Sequence, residues 1–396
     1  MKIGILTWAR NINYGGVLQA LALRTAIGKL GWNAELIHYE PLQADISYKR
    51  LFGLVTHTRL NAFVGACLDV VLNVFINGYF FSNVMRLFRS RRFIVEYICL
   101  SKRRYVDYRE FCGQCDYDVV VVGSDQVWNP IFFGDSPAYL LKDMPSQVKK
   151  ISYAASVATS HIGDRLHFFE EALPGYAAIS LRERSSIKEL QDCVDKKIEW
   201  VVDPTLLLSA DEWSRILDLP AKKLGKHYTV YWLSDIDVIL PRLIELASRN
   251  KLHIHLFGNI DSFRVRQLSL KSILNHMKIR LRMLLSRRVV FMKSKDARGF
   301  LSDLVTSRGI VSDSFHALMF STVFKKPVSI ITPPERAHMS SRINDFLVKV
   351  GFVDITRESL DNAAFTRIES IDGKDVSRLN KWIEDSRAWL ALALKM

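Results

Sequence analysis

Cysteine is scarce in this 396-residue chain: there are five, an odd number, which excludes a disulfide framework. Cys112 and Cys115 form one C-x-x-C pair, but Cys67, Cys99 and Cys193 are too scattered to complete a structural zinc site. Glycine (19) and proline (11) are also modest beside 49% hydrophobic and 24% charged residues, which excludes a disordered or fibrous chain. The opening MKIGILTWAR lacks the basic, apolar and small-residue regions of a secretion signal, so a cytoplasmic protein is expected. G-x-G-x-x-G and G-x-x-x-x-G-K-[ST] spacings are missing, which disfavours NAD and P-loop ATP chemistry. No helix-turn-helix, RNP or zinc-finger pattern occurs, so nucleic acid is not an expected partner. One run, Ala62 to Phe81, approaches bilayer length. Asp69, Asn73 and Asn77 recur in it at spacing four and share one helical face, so an amphipathic or buried helix is expected, with a single span as the alternative.

What the chain does contain is length for two domains and strands alternating with helices. Ile3–Trp8 is a short apolar run, Asn13-Tyr14-Gly15-Gly16 makes a turn, and Val17–Leu30 has helical spacing before Asn33–Tyr39 returns to strand. Strands then follow at Asp118–Gly123, Lys150–Ala154, Ala177–Leu181 and Trp200–Val202. A second series comprises His227–Leu233, Leu252–Phe257, Val289–Met292, Gly309–Ser312 and Val328–Thr332. The pattern predicts an α/β protein with domains over 1–208 and 209–375, and a terminal helix over 376–396 packing back on the first domain.

The net charge of +14 is concentrated. A helical insertion is expected at about 49–104, where ten Lys/Arg face only Asp69 and Glu96; a second basic segment at about 264–295 has ten Lys/Arg and no acid. Both mix cations with apolar residues at helical spacing. That pattern suits helices lying on an anionic membrane surface; solvated helix faces are the alternative.

Two constellations suggest chemistry. After the strand ending at Gly123, Ser124, Asp125, Gln126, Trp128 and Asn129 crowd the carboxyl end where α/β sheets hold ligands, offering the hydroxyl, carboxylate, amide and aromatic groups of a sugar site. Ser312-Asp313-Ser314 supply helix-capping residues, with His316 in the first turn where free N–H groups and the helix dipole favour phosphate or carboxylate. Separate cations, Arg182 and Arg184, Lys325-Lys326, Arg336 and Arg342, lie in loops suited to anion binding.

The motifs Asn13-Tyr-Gly-Gly-Val-Leu-Gln19, Asp118-Val-Val-Val-Val-Gly-Ser-Asp-Gln-Val-Trp-Asn-Pro130, Ile151-Ser-Tyr-Ala-Ala-Ser156, Leu181-Arg-Glu-Arg-Ser185, Val202-Asp-Pro-Thr205 and Ser312-Asp-Ser-Phe-His316 resemble those of the polysaccharide pyruvyl transferases. The resemblance runs in order from residue 3 to about 352 and omits both basic segments. It implies two Rossmann-like domains facing a cleft, similar to the GT-B glycosyltransferases. The implied reaction moves pyruvate from phosphoenolpyruvate onto two hydroxyls of a sugar, forming a cyclic ketal and releasing phosphate, without metal or organic cofactor. In that frame His316 and Asp125 are expected to be catalytic. Arg182, Arg184, Ser314, Lys326 and Arg342 would hold the donor, and Ser124, Gln126, Trp128, Asn129, Asn13 and Tyr14 the saccharide. Asp203 is expected to orient a loop. The rival readings are a GT-B glycosyltransferase using a nucleotide-sugar and a non-catalytic glycan-binding relative. The localised charge suggests a lipid-linked acceptor and a peripheral position on the inner face of the plasma membrane.

Overall fold

The computed structural model describes residues 1–8, 13–40, 80–130, 138–159, 161–221, 225–258, 278, 281–282, 285–332, 341–352, 355–361, 363–366 and 376–396. Most of the Ala62–Phe81 run, and Arg336, therefore lie outside the described residues.

Two parallel sheets organise the chain. The first contains β1 (Ile3–Leu6), β2 (Ala34–Tyr39), β3 (Leu100–Tyr105), β4 (Val119–Val122), β5 (Lys149–Ala155), β6 (Ala178–Leu181) and β7 (Ile198–Trp200) in the order β3-β2-β1-β4-β5-β6-β7. The second contains β8 (His227–Trp232), β9 (His253–Gly258), β10 (Val289–Phe291), β11 (Ile310–Ser312), β12 (Val328–Ile331) and β13 (Thr356–Arg357) in the order β10-β9-β8-β11-β12-β13. All four residues of β1, β4, β6 and β12 are buried, as expected for apolar, β-branched-rich strands covered on both faces. Strand order reverses between β1 and β4 and between β8 and β11, the places where open α/β sheets form ligand crevices.

One expectation fails at the end of the first basic segment. Leu100–Tyr105 is a strand, not a helix, and it stands at the sheet's edge with Lys102, Arg103 and Arg104 exposed. Charged side chains on an edge strand oppose pairing with other chains, so these three cations have a use within the fold. Helix Phe80–Tyr97 precedes it and crosses to the second sheet, where Arg86 donates to the Gly258 carbonyl at 3.0 Å and Arg89 to the Ser294 carbonyl at 2.8 Å.

One apolar cluster spans the two halves. Leu18 and Leu21 of helix Tyr14–Lys29 join Phe300 and Leu304 of helix Ala297–Thr306 and Phe320 of helix Phe315–Val323 in a single apolar cluster. Between the sheets, Ser209 caps helix Ala210–Leu217 in a reciprocal box with Glu212, and Trp213 packs edge-on against Phe320 at 5.3 Å. The final helix, Val376–Lys395, returns to the first sheet: Trp382 Nε1 donates to the Trp200 carbonyl at 2.9 Å, and Ser386 Oγ accepts from Val202 N at 3.1 Å.

Candidate active site

In the first half, the site is built at the carboxyl ends of β1, β4, β5 and β6. Asn13 caps helix Tyr14–Lys29 by accepting from Gly15 N at 3.0 Å, and Gln19, fully buried, fixes the turn after β1 by donating to Thr7 Oγ1 and the Gly16 carbonyl, each at 2.9 Å. Asp125 adopts a left-handed backbone, with φ 69°, which returns the chain after β4 and sets its carboxylate against the first turn of that helix. A Cβ at Gly16 would stand 2.9 Å from Asp125 Oδ2, so glycine there lets the carboxylate approach the positive end of the helix dipole. Ala154 (φ 51°) and Ala158 (φ 55°) share the left-handed conformation around the end of β5, where the buried Glu183 ties the turn by accepting from Val157 N at 2.6 Å and Ala158 N at 2.9 Å. Strained backbone of this kind concentrates where geometry serves a ligand.

The second half contributes helix Phe315–Val323, which starts just beyond β11. His316 lies in its first turn and its ring rests on Gly15, where any Cβ would overlap the imidazole. The amino ends of two helices, one from each half, thus meet.

A buried polar hub joins them. Arg182 follows β6, and its Nη1 donates to Asp203 Oδ2 at 2.8 Å and to Ser124 Oγ at 3.3 Å, with His316 Nε2 at 3.5 Å. Asp203 Oδ2 also accepts from Ser124 Oγ at 3.1 Å and lies 3.7 Å from His316 Nε2; its Oδ1 accepts from Thr205 N at 3.0 Å and Thr205 Oγ1 at 2.6 Å. Arg182 Nε and Nη2 have no hydrogen-bond partner among the described residues. Arg342, in helix Ser341–Val350, brings a second guanidinium: Arg182 lies 4.5 Å and Arg342 5.6 Å from the centre of the Phe315 ring. With the Gln126 amide oriented so that its oxygen faces donors, that oxygen accepts from Arg342 Nη1 at 3.1 Å and Nη2 at 3.2 Å, a contact between the two halves.

These neighbours set the charge states. Burial pulls the His316 pKa below its ordinary value and the Arg182 and Arg342 cations pull in the same direction, against Asp203 and Asp125. Burial alone would raise the Asp203 pKa, but His316, Arg182 and the hydrogen bonds from Thr205 and Arg182 hold it below the ordinary carboxylate range. The result is an anionic hub beneath a neutral imidazole and two guanidiniums.

The expected site residues separate into two groups. His316, Asp125, Arg182, Arg342, Gln126 and Ser124 come together, with Ser124 buried beneath Arg182. Asn129 is within 2.9 Å of the Gln126 amide, and Asn13 caps the adjoining helix while accepting from Tyr231 OH at 3.3 Å. Ser314 is the cap position of helix Phe315–Val323 but makes no side-chain capping bond; Asp313 instead holds the loop after β8 by accepting from Leu233 N and Ser234 N.

Four residues expected in the site stand elsewhere. Trp128 is fully buried, donates to the Tyr139 carbonyl at 2.9 Å and packs edge-on against Phe169 and Tyr176, so it is a core residue and not a sugar platform. Tyr14 is 2% exposed, stacks on Phe300 at 5.0 Å and donates to the Lys295 carbonyl, which makes it packing between the two halves. Lys326 is buried beyond the far end of helix Phe315–Val323, where its ammonium donates to the Ser307 carbonyl at 2.7 Å. Arg184 is exposed to solvent two residues beyond Arg182.

Reading the sequence missed the central place of Asp203; Asp-Pro at a strand end reads as a turn, and nothing local marks its partner 21 residues earlier. A cluster with metal-ligand chemistry, His227, His255 and Asp303, lies toward the amino ends of β8 and β9, away from this site, and Asp303 already accepts from Thr229 Oγ1 at 2.6 Å and pairs with His255 Nδ1 at 2.5 Å. A cavity of about 400 Å³ lined by Leu208, Asp211, Lys325, Asn380 and Arg387 shares no residue with the hub.

Most of the residues that build this site lie within a stretch that matches a known family. The model of the family described as polysaccharide pyruvyl transferase matches residues 13–333. The chain belongs to that family. No curated protein matches it. Among solved structures, this pyruvyl transferase relative is similar to UDP-GlcNAc 2-epimerase from Methanocaldococcus jannaschii in complex with UDP-GlcNAc and UDP, at 13% identity and a TM-score of 0.48 over 96% of this chain and 98% of that one. It is also similar to E. coli heptosyltransferase WaaC with ADP, at 10% identity and a TM-score of 0.38 over 98% of this chain and 100% of that one.

Proposed function

We propose that the protein transfers pyruvate from phosphoenolpyruvate to two hydroxyls of one sugar in a surface-polysaccharide precursor. The supporting observation is the convergence of Arg182, Arg342 and His316 around Phe315 at the meeting point of two helix amino ends. Such a site suits a small trianion, because guanidiniums bind carboxylate and phosphate bidentately and helix amino ends attract anions.

In this reading the neutral imidazole of His316 takes the proton of the first attacking hydroxyl. The hydroxyl oxygen bonds to the enol carbon as the imidazolium so formed returns that proton to the enol methylene, which becomes a methyl group and leaves His316 neutral again. The second hydroxyl then displaces phosphate and its proton leaves with the phosphate, so that a carboxylate-bearing cyclic ketal and hydrogen phosphate remain. Asp125, against the first turn of helix Tyr14–Lys29, is positioned as the second acid-base group, with Gln126 and Asn129 beside the saccharide. Arg182 and Arg342 neutralise charge on the donor and on the departing phosphate. The proposed chemistry requires no metal or organic cofactor. We also take 1–208 and 209–375 as the two domains, with 376–396 bound back on the first, and a lipid-linked saccharide as acceptor.

The test is phosphate release from phosphoenolpyruvate with lipid-linked or nucleotide-linked saccharides, together with thermal shift. Stabilisation by phosphoenolpyruvate and acceptor-dependent phosphate release are expected. His316→Ala should lower the rate by at least about a hundredfold with little loss of phosphoenolpyruvate-induced stabilisation. Stabilisation by a nucleotide-sugar alone would assign the site to glycosyl transfer, and binding of glycan without phosphate release would assign it to recognition. Near-normal pyruvyl transfer by His316→Ala would remove His316 from the centre of the mechanism.

A further inference from the structure

Helix Phe80–Tyr97 has apolar residues on both faces. Its inward face carries Arg86, Leu87, Phe93 and Ile94, all buried. Its outward face carries Val84, Met85, Phe88, Arg91, Arg92 and Val95, which at 100° per residue fall within an arc of about 120°. Phe88 is 66% and Val95 85% exposed. The buried arginine has a use, since it donates to the Gly258 carbonyl and lies over the Tyr14 ring at 4.7 Å. Phe88 and Val95 have no corresponding bond or ring contact among the described residues.

Single exposed apolar side chains are ordinary, but here they are grouped. Seven of the thirteen large exposed hydrophobic residues among those described fall in the two basic segments: the four on this helix, and Leu281, Leu285 and Val290. The segments are also tied to each other. Arg86 bonds Gly258, just before the second segment, and Arg89 bonds Ser294 near its end. Lys278, Arg282 and Arg287 of that second segment are exposed as well. In sequence, the apolar run Ala62–Phe81 leads directly into the first turn of the helix. The only acid on the helix, Glu96, forms an exposed pair with Arg92 at 3.8 Å, which contributes little.

We infer that the outward face of helix Phe80–Tyr97 is where the protein docks on an anionic lipid bilayer. Phe88, Met85 and Val95 would enter the headgroup boundary while Arg91 and Arg92 meet lipid phosphates. The same helix holds Tyr14 through Arg86, and Tyr14 opens the helix whose Gly15 supports His316. Docking here therefore seats the proposed reactive site near the bilayer, where a lipid-carried acceptor would present its sugar. To that extent the inference rests on the pyruvyl-transfer reading, although lipid binding itself does not.

The test is flotation of the full chain with vesicles of equal parts phosphatidylglycerol and phosphatidylcholine, and with pure phosphatidylcholine, at low and high salt. Binding to the anionic vesicles at low salt, weakened by high salt, is expected. The double substitution Phe88→Glu, Val95→Glu should reduce the bound fraction about tenfold or more, and Arg91→Gln, Arg92→Gln should reduce it less. Melting temperature and phosphate release with a water-soluble acceptor should not change; Phe88→Ser serves as a milder second variant. Failure of the wild type to float at low salt would overturn the inference, as would equal flotation of all variants. A dimer in sedimentation that dissociates in the Phe88→Glu, Val95→Glu protein would give this face to a second copy instead. Flotation with no pyruvyl transfer would leave the docking surface in place and refute only the catalytic reading.

Discussion

Asp203→Asn changes one atom type at the hub and so tests the logic of the site. Asparagine fills the same volume and keeps an oxygen for Thr205, but its amide nitrogen then faces Arg182 Nη1 and Ser124 Oγ, where a carboxylate oxygen accepted at 2.8 and 3.1 Å. The side chains of Arg182 and Asp203 are 1% and 0% exposed, so water cannot replace the lost acceptor. Removing one partner of a buried ion pair costs about 3–5 kcal/mol, so the urea midpoint should fall by a corresponding amount. The substitution also removes the strongest interaction that raises the His316 pKa, leaving burial and the two arginines to lower it further. Because the neutral imidazole is the proposed base, the acid limb of the kcat–pH profile should move to lower pH while the maximum rate falls. A structural role alone would lower stability and leave that limb in place. Stability within about 1 kcal/mol of the parent, together with an unmoved acid limb, would refute the assignment of Asp203 as the residue that positions Arg182 and His316.

Three further substitutions separate site from scaffold. Gly15→Ala places a methyl group on the His316 ring, so phosphate release should fall about a hundredfold or more while phosphoenolpyruvate still stabilises the protein against heat. Trp128→Ala should cost about 3–5 kcal/mol in urea unfolding because it empties a fully buried aromatic site, and KM for the saccharide should be unchanged in whatever folds. Asp303, held at a pKa of about 2 against burial by hydrogen bonds from His227, His255 and Thr229, contributes about 2 kcal/mol above the unfolded carboxylate pKa. Its folded pKa is depressed, so this contribution is complete above about pH 4 and fades as pH falls toward 2. In pH-dependent urea denaturation, the deficit of Asp303→Asn should narrow over that range.

Much of the fold was legible because buried parallel strands leave a local mark. Val119–Val122 and Val328–Ile331 are short β-branched-rich runs, and each is wholly buried. β3 was not legible, since Leu100-Ser-Lys-Arg-Arg-Tyr105 has the charge of a surface and acquires strand geometry only by pairing with β2. The site divided in the same way. His316, Arg182 and Asp125 follow strands and were recoverable from position and residue type. Trp128 and Tyr14 occupy equally suggestive positions, but the fold turns one inward against Phe169 and Tyr176 and the other onto Phe300, and local sequence does not encode that direction. Arg86 shows the converse: it belongs to a basic run that reads as solvent-facing, yet its partner Gly258 is 172 residues away.

The return of helix Val376–Lys395 to the first sheet affects the order in which the protein can be completed. Val202 N is separated from its acceptor Ser386 by 184 residues, and the carbonyls of Trp200 and Leu207 likewise await Trp382 and Arg387. A ribosome would therefore release the earlier half with part of its apolar surface, Tyr153 and Trp200 among it, uncovered until the last segment of this chain emerges. Removing that segment should damage the half built first, and chaperone dependence during synthesis should track the time between the two.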